Sequence, residues 1–299
     1  MVRKFFIQLF EFIYSYLYPN KTLVILTREH CFFIANLIQN EFTSTNYKVK
    51  IINKKPKFGF TKNKHIVICP QIFNKLPKNY IAYQMEQAVS TSPWFNESYL
   101  QKLNAADYIF DYSLANIDNL KTKLSSAQKH IYMPIYYVKD YFSNIKEEEF
   151  YDVGFYGECD IERRIVFINA IKEKYKVNLI YNCYKENLIH ELKKCKIIIN
   201  IHYYENAILE TTRIYESLSL NKLLISESSV DIENHKNLND IVDFIPIGDV
   251  EAMLNKISYW IDNQKERETK IANNVLKLSS DENLFSKNYQ KFNSQSKYF

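Results

Sequence analysis

The sequence predicts an α/β protein built as two halves, each a parallel sheet with helices on its faces. Two observations carry this. Short apolar, β-branched runs alternate with helical stretches from Thr22 to Ile135 and again from Asp152 to Asn263, the pattern of a parallel sheet wound through crossover helices. The runs themselves, such as Lys196–Ile201 and Leu223–Ser226, are almost continuously apolar rather than alternating, as strands covered on both faces are. The acidic run Lys146-Glu-Glu-Glu149 falls between the two series. It marks the expected boundary, dividing the chain into residues 1–145, residues 146–280 and a polar, aromatic tail at 281–299.

The elements follow in order. Residues 3–18 form an aromatic-aliphatic helix candidate that Pro19 stops, shorter than the roughly 20 residues a spanning helix needs. No small-residue cleavage site follows, so no signal peptide is expected. Strands are predicted at 22–27, 47–53, 65–70, 80–84, 107–113 and 130–135, with helices over 30–42, 95–104 and 115–125. In the second half a strand opens at Asp152, and others follow at 177–181, 196–201, 223–226 and 243–247. Helices over 162–174, 187–194 and 249–263 alternate with them.

Composition narrows the chemistry. A net charge of +5 names no partner, and no nucleic-acid-binding signature accompanies the lysines, so nucleic acid is not an expected partner. The five cysteines (31, 69, 159, 183, 195) are scattered without a Cys-x-x-Cys pair, which reads as reduced thiols in a cytoplasmic protein. The six histidines are also isolated, so neither zinc nor another metal cofactor is expected. No phosphate-binding P-loop, nucleophile elbow or dinucleotide fingerprint is present. Of only four glycines, Gly154 and Gly157 both fall in Tyr151-Asp-Val-Gly-Phe-Tyr-Gly-Glu158. A strand running into a glycine turn is where a backbone bends sharply or approaches a ligand.

The densest signal lies between Cys195 and Glu227. Asn200, His202, Tyr203, Tyr204 and Glu205 crowd the end of a buried strand, and the following helix carries Glu210, Arg213 and Glu216 at three-residue spacing. Those charges can form a solvated salt-bridge ladder worth about 0.2–0.5 kcal/mol per pair. They can also serve a ligand, because a helix starting beyond a parallel strand aims its positive end into the crevice of the sheet. An arginine one turn in can clamp a phosphate, and a glutamate one turn further can accept from ribose hydroxyls.

The pattern Asn200-Ile-His202-Tyr-Tyr-Glu205, then Ile208-Leu-Glu210, Arg213 and Ser226-Glu227, resembles the nucleotide-sugar-binding half of GT-B glycosyltransferases of the group 1 type, whose C-terminal domain carries an Arg-x-x-Glu pair. The Asp152-Val-Gly-Phe-Tyr-Gly157 stretch resembles the opening of that domain. The resemblance implies two Rossmann-like domains facing a cleft, with the donor held by the C-terminal half and the tail crossing back to the N-terminal one. It implies a metal-independent transfer from a nucleotide-diphosphate sugar to a glycan, lipid-linked or protein acceptor. The chain also lacks the Asp-x-Asp of the metal-dependent GT-A class.

Carried across residue by residue, Gly157, Asn200, Glu205, Glu210, Arg213 and Glu216 are donor-binding candidates, with Arg213 on phosphate and Glu216 on ribose. Retaining members often have a first glutamate eight positions before Glu216; Ile208 stands there, leaving that role to Glu205 or Glu210. Glu86, in Tyr83-Gln-Met-Glu-Gln87, and His202 are the catalytic candidates. Glu86 acts as general base or positions the acceptor, and His202 bonds the donor. The lysines of 48–64 read either as a solvated loop or, with the first helix, as a dock on an anionic membrane surface, which would place the protein on its cytoplasmic face. Two rival readings are a nucleotide-sugar epimerase or hydrolase on the same fold and a non-catalytic sugar-binding, surface-assembly protein.

Overall fold

A computed structural model describes residues 2–17, 22–45, 47–125, 129–296 and 298–299; Tyr18 and Pro19, the expected end of the first helix, lie outside them. The chain divides into two compact units, residues 1–134 with 283–299, and residues 135–282.

In the first unit, strands β1 (Thr22–Leu26), β2 (Lys48–Ile52), β3 (Lys64–Ile68), β4 (Ile81–Gln84), β5 (Tyr108–Asp111) and β6 (His130–Tyr132) form one sheet in the order β2-β1-β3-β4-β5-β6. Every neighbouring pair is parallel. Helices α1 (Val2–Leu17), α2 (Phe32–Glu41), α3 (Glu97–Ala105) and α4 (Leu114–Leu120) belong to this unit. Leu26, Val67, Ala82 and Ile109 supply the sheet side of a core that Tyr99, Leu103 and Leu120 complete from the helices. Local chemistry sets the helix starts: the Asn96 and Ser113 side chains accept from the Tyr99 and Asn116 amides and cap α3 and α4. β5 stops at Asp111, two residues short of expectation, because the Asp111 carboxylate takes the Ser113 amide for itself at 3.0 Å.

The tail is helical. In α10 (Leu284–Ser296) Phe285, Tyr289 and Phe292 are buried at i, i+4 and i+7, one face of a helix. The Phe292 ring meets Tyr108 and Phe110 edge-on, with centroids 4.9 and 5.1 Å away. The Tyr298 hydroxyl donates to Asp107 at 3.2 Å.

In the second unit, β7 (Tyr151–Tyr156), β8 (Val177–Ile180), β9 (Cys195–Asn200), β10 (Leu223–Glu227) and β11 (Asp243–Ile245) form a sheet in the order β11-β10-β9-β7-β8, again parallel throughout. Helices α5 (Glu162–Lys172), α6 (Lys185–Lys193), α7 (Thr211–Ser219), α8 (Val250–Asp262) and α9 (Gln264–Ser280) accompany it. Val153, Phe155, Ile197, Ile199, Leu223 and Ile225 form the sheet side of a core closed by Phe167, Ile171, Met253 and Ile257.

This unit begins before the acidic run. Residues 135–149 are tied to it through the Val138 amide on Ser219 (2.9 Å), the Lys193 ammonium on the Phe142 and Ile145 carbonyls, and Lys222 on Glu149 (2.8 Å). Helix α9 docks through mixed side chains: Leu278 is buried and Ile271 packs on the core, while Arg267 donates to the Trp260 carbonyl at 2.6 Å and Asn274 to that of Ile241 at 3.0 Å.

Both sheets share one winding. The first strand of each lies between the second and the third: β1 between β2 and β3, β7 between β8 and β9. The direction in which successive strands are added therefore reverses at β1/β3 and at β7/β9. The space beyond the carboxyl ends there is where such sheets bind ligands.

Truncating Phe292 to Ala should destabilise the first unit by about 3–5 kcal/mol, the usual range for a buried aromatic. Urea unfolding reads this directly; an unchanged midpoint would mean that the tail helix adds nothing to that core.

Candidate functional site

The groups that point to a ligand collect beyond the β7/β9 reversal of the second unit. β7 ends at Tyr156 and the chain turns at Gly157, whose φ of +127° is left-handed. A Cβ built there would lie 2.6 Å from the Arg213 guanidinium, so the glycine admits that side chain. α5 then starts at Glu162 and carries Arg163 and Arg164 in its first turn. β9 ends at Asn200, a loop follows, and α7 starts at Thr211 with Glu210 as its N-cap residue and Arg213 in its first turn. Two helix N-termini thus face the space beyond two adjacent strands, each bringing amides and a partial positive charge.

Arg164 is 1% exposed, and its guanidinium is partly satisfied: Nε donates to the Ile201 carbonyl at 3.0 Å and Nη1 to the Glu158 carbonyl at 2.8 Å. Its Nη2 lies 3.7 Å from Glu210 Oε1 and makes no hydrogen bond. Arg213 Nη1 donates to the other oxygen of Glu210 at 3.0 Å and to Asn200 Oδ1 at 3.4 Å. The two guanidiniums therefore share one carboxylate. Burial raises the Glu210 carboxyl, yet Arg213, His202 and Arg164 together hold it down at about 2. Burial, with Arg213 alongside, lowers Arg164 to about 10, which leaves it a cation at neutral pH. A buried cation beside a half-buried one, with one carboxylate between them, is an anion-binding arrangement.

His202 is fully buried. Its Nε2 contacts the Ser228 carbonyl at 2.9 Å, while Nδ1, 3.9 Å from Glu210, has no hydrogen-bond partner. Since a carbonyl only accepts, Nε2 carries a proton, and Nδ1 is left for a further group. Asn200 is held by Ser226 through its amide nitrogen at 3.0 Å, which leaves its oxygen to Arg213.

Glu216 lies deeper in α7. Its Oε2 accepts from Tyr156 OH at 3.1 Å, and burial raises its carboxyl to about 7 against the opposing pull of Tyr156 and Arg213. The solvated-ladder reading of Glu210, Arg213 and Glu216 therefore fails: Glu210 precedes the helix, and Glu216 is buried on Tyr156. Glu205, the alternative first glutamate, is exposed on the loop and does not join the cluster.

Three residues outside the sequence's site candidates complete the region: Glu227, present there only as part of the Ser226-Glu227 pattern, and Arg163 and Arg164, which were not singled out. Glu227, at the end of β10, is fully buried and accepts both terminal nitrogens of Arg163, the His202 amide at 2.8 Å and the Gly248 amide at 2.7 Å. Arg163 also donates to the His202 carbonyl at 2.9 Å. The available signal for Arg163 and Arg164 was the Glu162-Arg-Arg start of a helix just after the Gly157 turn.

Glu86 belongs to the first unit. It follows β4, with its carboxylate on Gln71 Nε2 at 2.6 Å and its backbone carbonyl held by Gln84 and Asn116. Those two side chains are anchored on the buried Asp111, which also contacts His130 at 3.0 Å. Burial pushes the Glu86 carboxyl upward, and the Gln71 bond and His30 oppose it.

The architecture recurs in solved structures. Anabaena HepE, solved in complex with UDP and glucose, matches 93% of this chain over 99% of its own with a TM-score of 0.59 at 10% identity. WaaG, a glycosyltransferase involved in lipopolysaccharide biosynthesis, matches 91% of the chain over 98% of its own with a TM-score of 0.55 at 8% identity. The fold is GT-B. Sucrose-phosphate synthase from Thermosynechococcus elongatus shares it over 88% of this chain and 77% of its own, with a TM-score of 0.52 at 11% identity. An uncharacterized protein of Acanthamoeba polyphaga mimivirus is 28% identical over 172 residues, 57% of this chain and 59% of that relative, so the match spans little more than half of either. No protein-family model matches the chain.

The Glu216 carboxyl generates a stability prediction. Its folded value of about 7 exceeds the ordinary 4.5, so the native state holds a proton that the unfolded chain gives up first. Its contribution is complete below pH 4.5 and is lost as pH rises through about 7. Glu216→Gln should therefore match the wild type at low pH and exceed it at pH 8, by on the order of 2–3 kcal/mol at most. Urea titrations at both pH values test this; equal differences at the two would refute the burial argument.

Proposed function

We propose that the protein is a glycosyltransferase that takes a sugar from a nucleotide-diphosphate sugar. The observation that carries this is the cation pair: Arg164 and Arg213 share Glu210 at the starts of two helices beyond β7 and β9, and Arg164 Nη2 lacks a hydrogen-bond partner. A diphosphate would supply the missing acceptor and counter-charge. As the glycosidic bond to the donor phosphate breaks, negative charge grows on the leaving oxygen, and fixed cations and helix amides stabilise it without reorganising. That chemistry calls for no divalent ion at the diphosphate. Gly157 makes room for the Arg213 guanidinium that would meet the phosphates, and Glu216, one turn below Arg213, is the candidate to accept from ribose. His202 Nδ1 is the group offered to the donor sugar or phosphate. Glu86, with a carboxyl raised by burial, is the candidate to take or steer the acceptor hydroxyl proton. HepE has been solved with UDP-glucose, which makes UDP-sugars the first donors to test.

A glycan or lipid-linked acceptor is the accompanying proposal, and α1 supports the lipid-linked form. Phe6, Phe10, Ile13 and Leu17 recur at i, i+4, i+7 and i+11 and are all exposed. Lys62, from the stretch of seven lysines at 48–64, sits over the Tyr16 ring at 4.7 Å, joining the basic loop to the helix. No described helix is long and apolar enough to cross a membrane. An apolar helix face beside lysines worth about 1 kcal/mol each suits an anionic bilayer surface. The protein should co-sediment with anionic but not neutral vesicles and should release when residues 1–17 are deleted. Retention in the supernatant at low salt would remove the membrane from the proposal.

Arg213→Ala should weaken UDP-sugar binding about 10- to 100-fold, the equivalent of one lost charge-assisted hydrogen bond of about 1.5–3 kcal/mol. Its side chain is part-exposed, so the fold should survive. Calorimetric titration measures the affinity, and release of nucleotide diphosphate with sugar appearing on an acceptor measures turnover. The rate should be the same with and without added Mg2+ or Mn2+. Donor binding without turnover on any acceptor would favour the non-catalytic sugar-binding reading, and a dependence on Mn2+ would overturn the proposed role of the arginines.

A further inference from the structure

The first unit has its own reversal, at β1/β3, and the residues beyond those two strands are not ordinary loop residues. β1 leads into Glu29-His30-Cys31, and β3 leads directly into Cys69. Cys31 and Cys69 are 38 positions apart in sequence, yet their sulfurs are 3.6 Å apart. A ring nitrogen of His30 and both sulfurs all lie within 4.8 Å of one another. Both cysteines are buried and neither is in a disulfide, while His30 is exposed. Cys69 holds this place in a left-handed backbone conformation, φ +53°, which is uncommon for a residue with a side chain.

We infer that His30, Cys31 and Cys69 form a binding site for a thiophilic divalent cation, zinc above all, at the ligand-binding edge of the first sheet. The two thiols are within hydrogen-bonding distance of each other, and the same separation suits a shared metal. Two thiolates about 2.3 Å from a tetrahedral zinc stand about 3.8 Å apart, close to the separation observed, whereas a disulfide needs about 2.05 Å. The corresponding nitrogen–sulfur edge is about 3.6 Å, so His30 needs to shift by an ångström or so, which an exposed ring can do. Two sulfurs and an imidazole are a zinc-type donor set, not that of magnesium or calcium, which take oxygen. Each thiol gives up its proton on ligation. Two thiolates, one neutral imidazole and Zn2+ make an uncharged group, compatible with the buried position of the sulfurs, and two protons are released per ion.

Three protein ligands leave the fourth tetrahedral position open, as at zinc sites that meet substrate or water. Glu86 is close enough for its carboxylate to act electrostatically on both His30 and Cys69. The site was invisible in the sequence because its ligands come from two strand ends that only the sheet order makes neighbours. Its ligands all belong to the first unit, and the inference does not depend on the glycosyl-transfer reading.

The test uses the full-length, reduced protein stripped of metal and titrated with Co2+ alone, then with Zn2+. One equivalent of Co2+ should bind with thiolate-to-cobalt charge-transfer absorption, and Zn2+ should displace it and release two protons per ion. Cys69→Ser should weaken Co2+ binding and cut the thiolate band by about half or more, leaving at most the Cys31 contribution. Should that variant fail to fold, His30→Gln alters only an exposed ring and should weaken Co2+ binding about ten-fold or more. UDP-sugar affinity should be unchanged in His30→Gln, which separates this site from the donor site. Absence of a thiolate band in folded, reduced protein would overturn the inference. So would a band of undiminished intensity and affinity in folded Cys69→Ser, or quantitative Cys31–Cys69 disulfide formation under mild oxidation with no cobalt uptake by the reduced form.

Discussion

A buried carboxylate at the end of β10 organises the second unit. Glu227 cannot remain ionised away from water unless donors surround it, and four N–H groups do so. They come from Arg163 in the first turn of α5, from the backbone after β9 and from the Gly248 turn ahead of α8. One charge therefore ties together the carboxyl ends of two strands and the entry of two helices. His202 hangs from its own amide on this carboxylate, and Arg163 holds the same residue by its carbonyl. The ring of His202 is positioned by backbone at both sides before any ligand arrives.

The neighbouring cluster has the opposite balance. Around Glu227 every donor is matched and the group is closed. Around Glu210 two guanidiniums compete for one carboxylate, and a guanidinium nitrogen and an imidazole nitrogen remain buried without hydrogen-bond partners. Unpaired buried polar atoms are costly, by about 1–3 kcal/mol each, and persist where a ligand completes them. A closed ion-pair scaffold beside an open one is how a fold keeps a binding site rigid while leaving it hungry for charge. Glu216 adds a third environment, a carboxyl kept partly neutral by burial against the opposing pull of Tyr156 and Arg213.

The first unit repeats the winding but not the chemistry. Its polar centre is the network of Asp111, Gln84, Asn116 and His130, which fixes the backbone of Glu86. Its strand ends carry thiols and imidazole where the second unit carries arginines. The same topology thus presents two kinds of donor set: hard-anion partners beyond β7 and β9, and soft-metal partners beyond β1 and β3.

Local periodicity alone determined a good deal of this protein. The continuous apolar runs marked the parallel strands, the helix spacing placed Arg213 and Glu216 one turn apart, and Gly157 announced the turn after β7. Asn200, His202, Glu210 and Arg213 were legible together because they lie within one strand–loop–helix segment, where sequence distance translates into spatial distance. Contacts between segments were not legible. Arg164 reaches Glu210 from 46 positions away (210 − 164), and Arg163 reaches Glu227 across 64. The hydrogen bonds that anchor Arg267 and Asn274 of α9 and the start of the second unit ahead of the acidic run escaped for the same reason, since hydrogen bonds leave no periodic trace. The meeting of Cys31 with Cys69 follows from β1 lying beside β3, and strand order is decided by packing of whole sheets, not by any short stretch of chain.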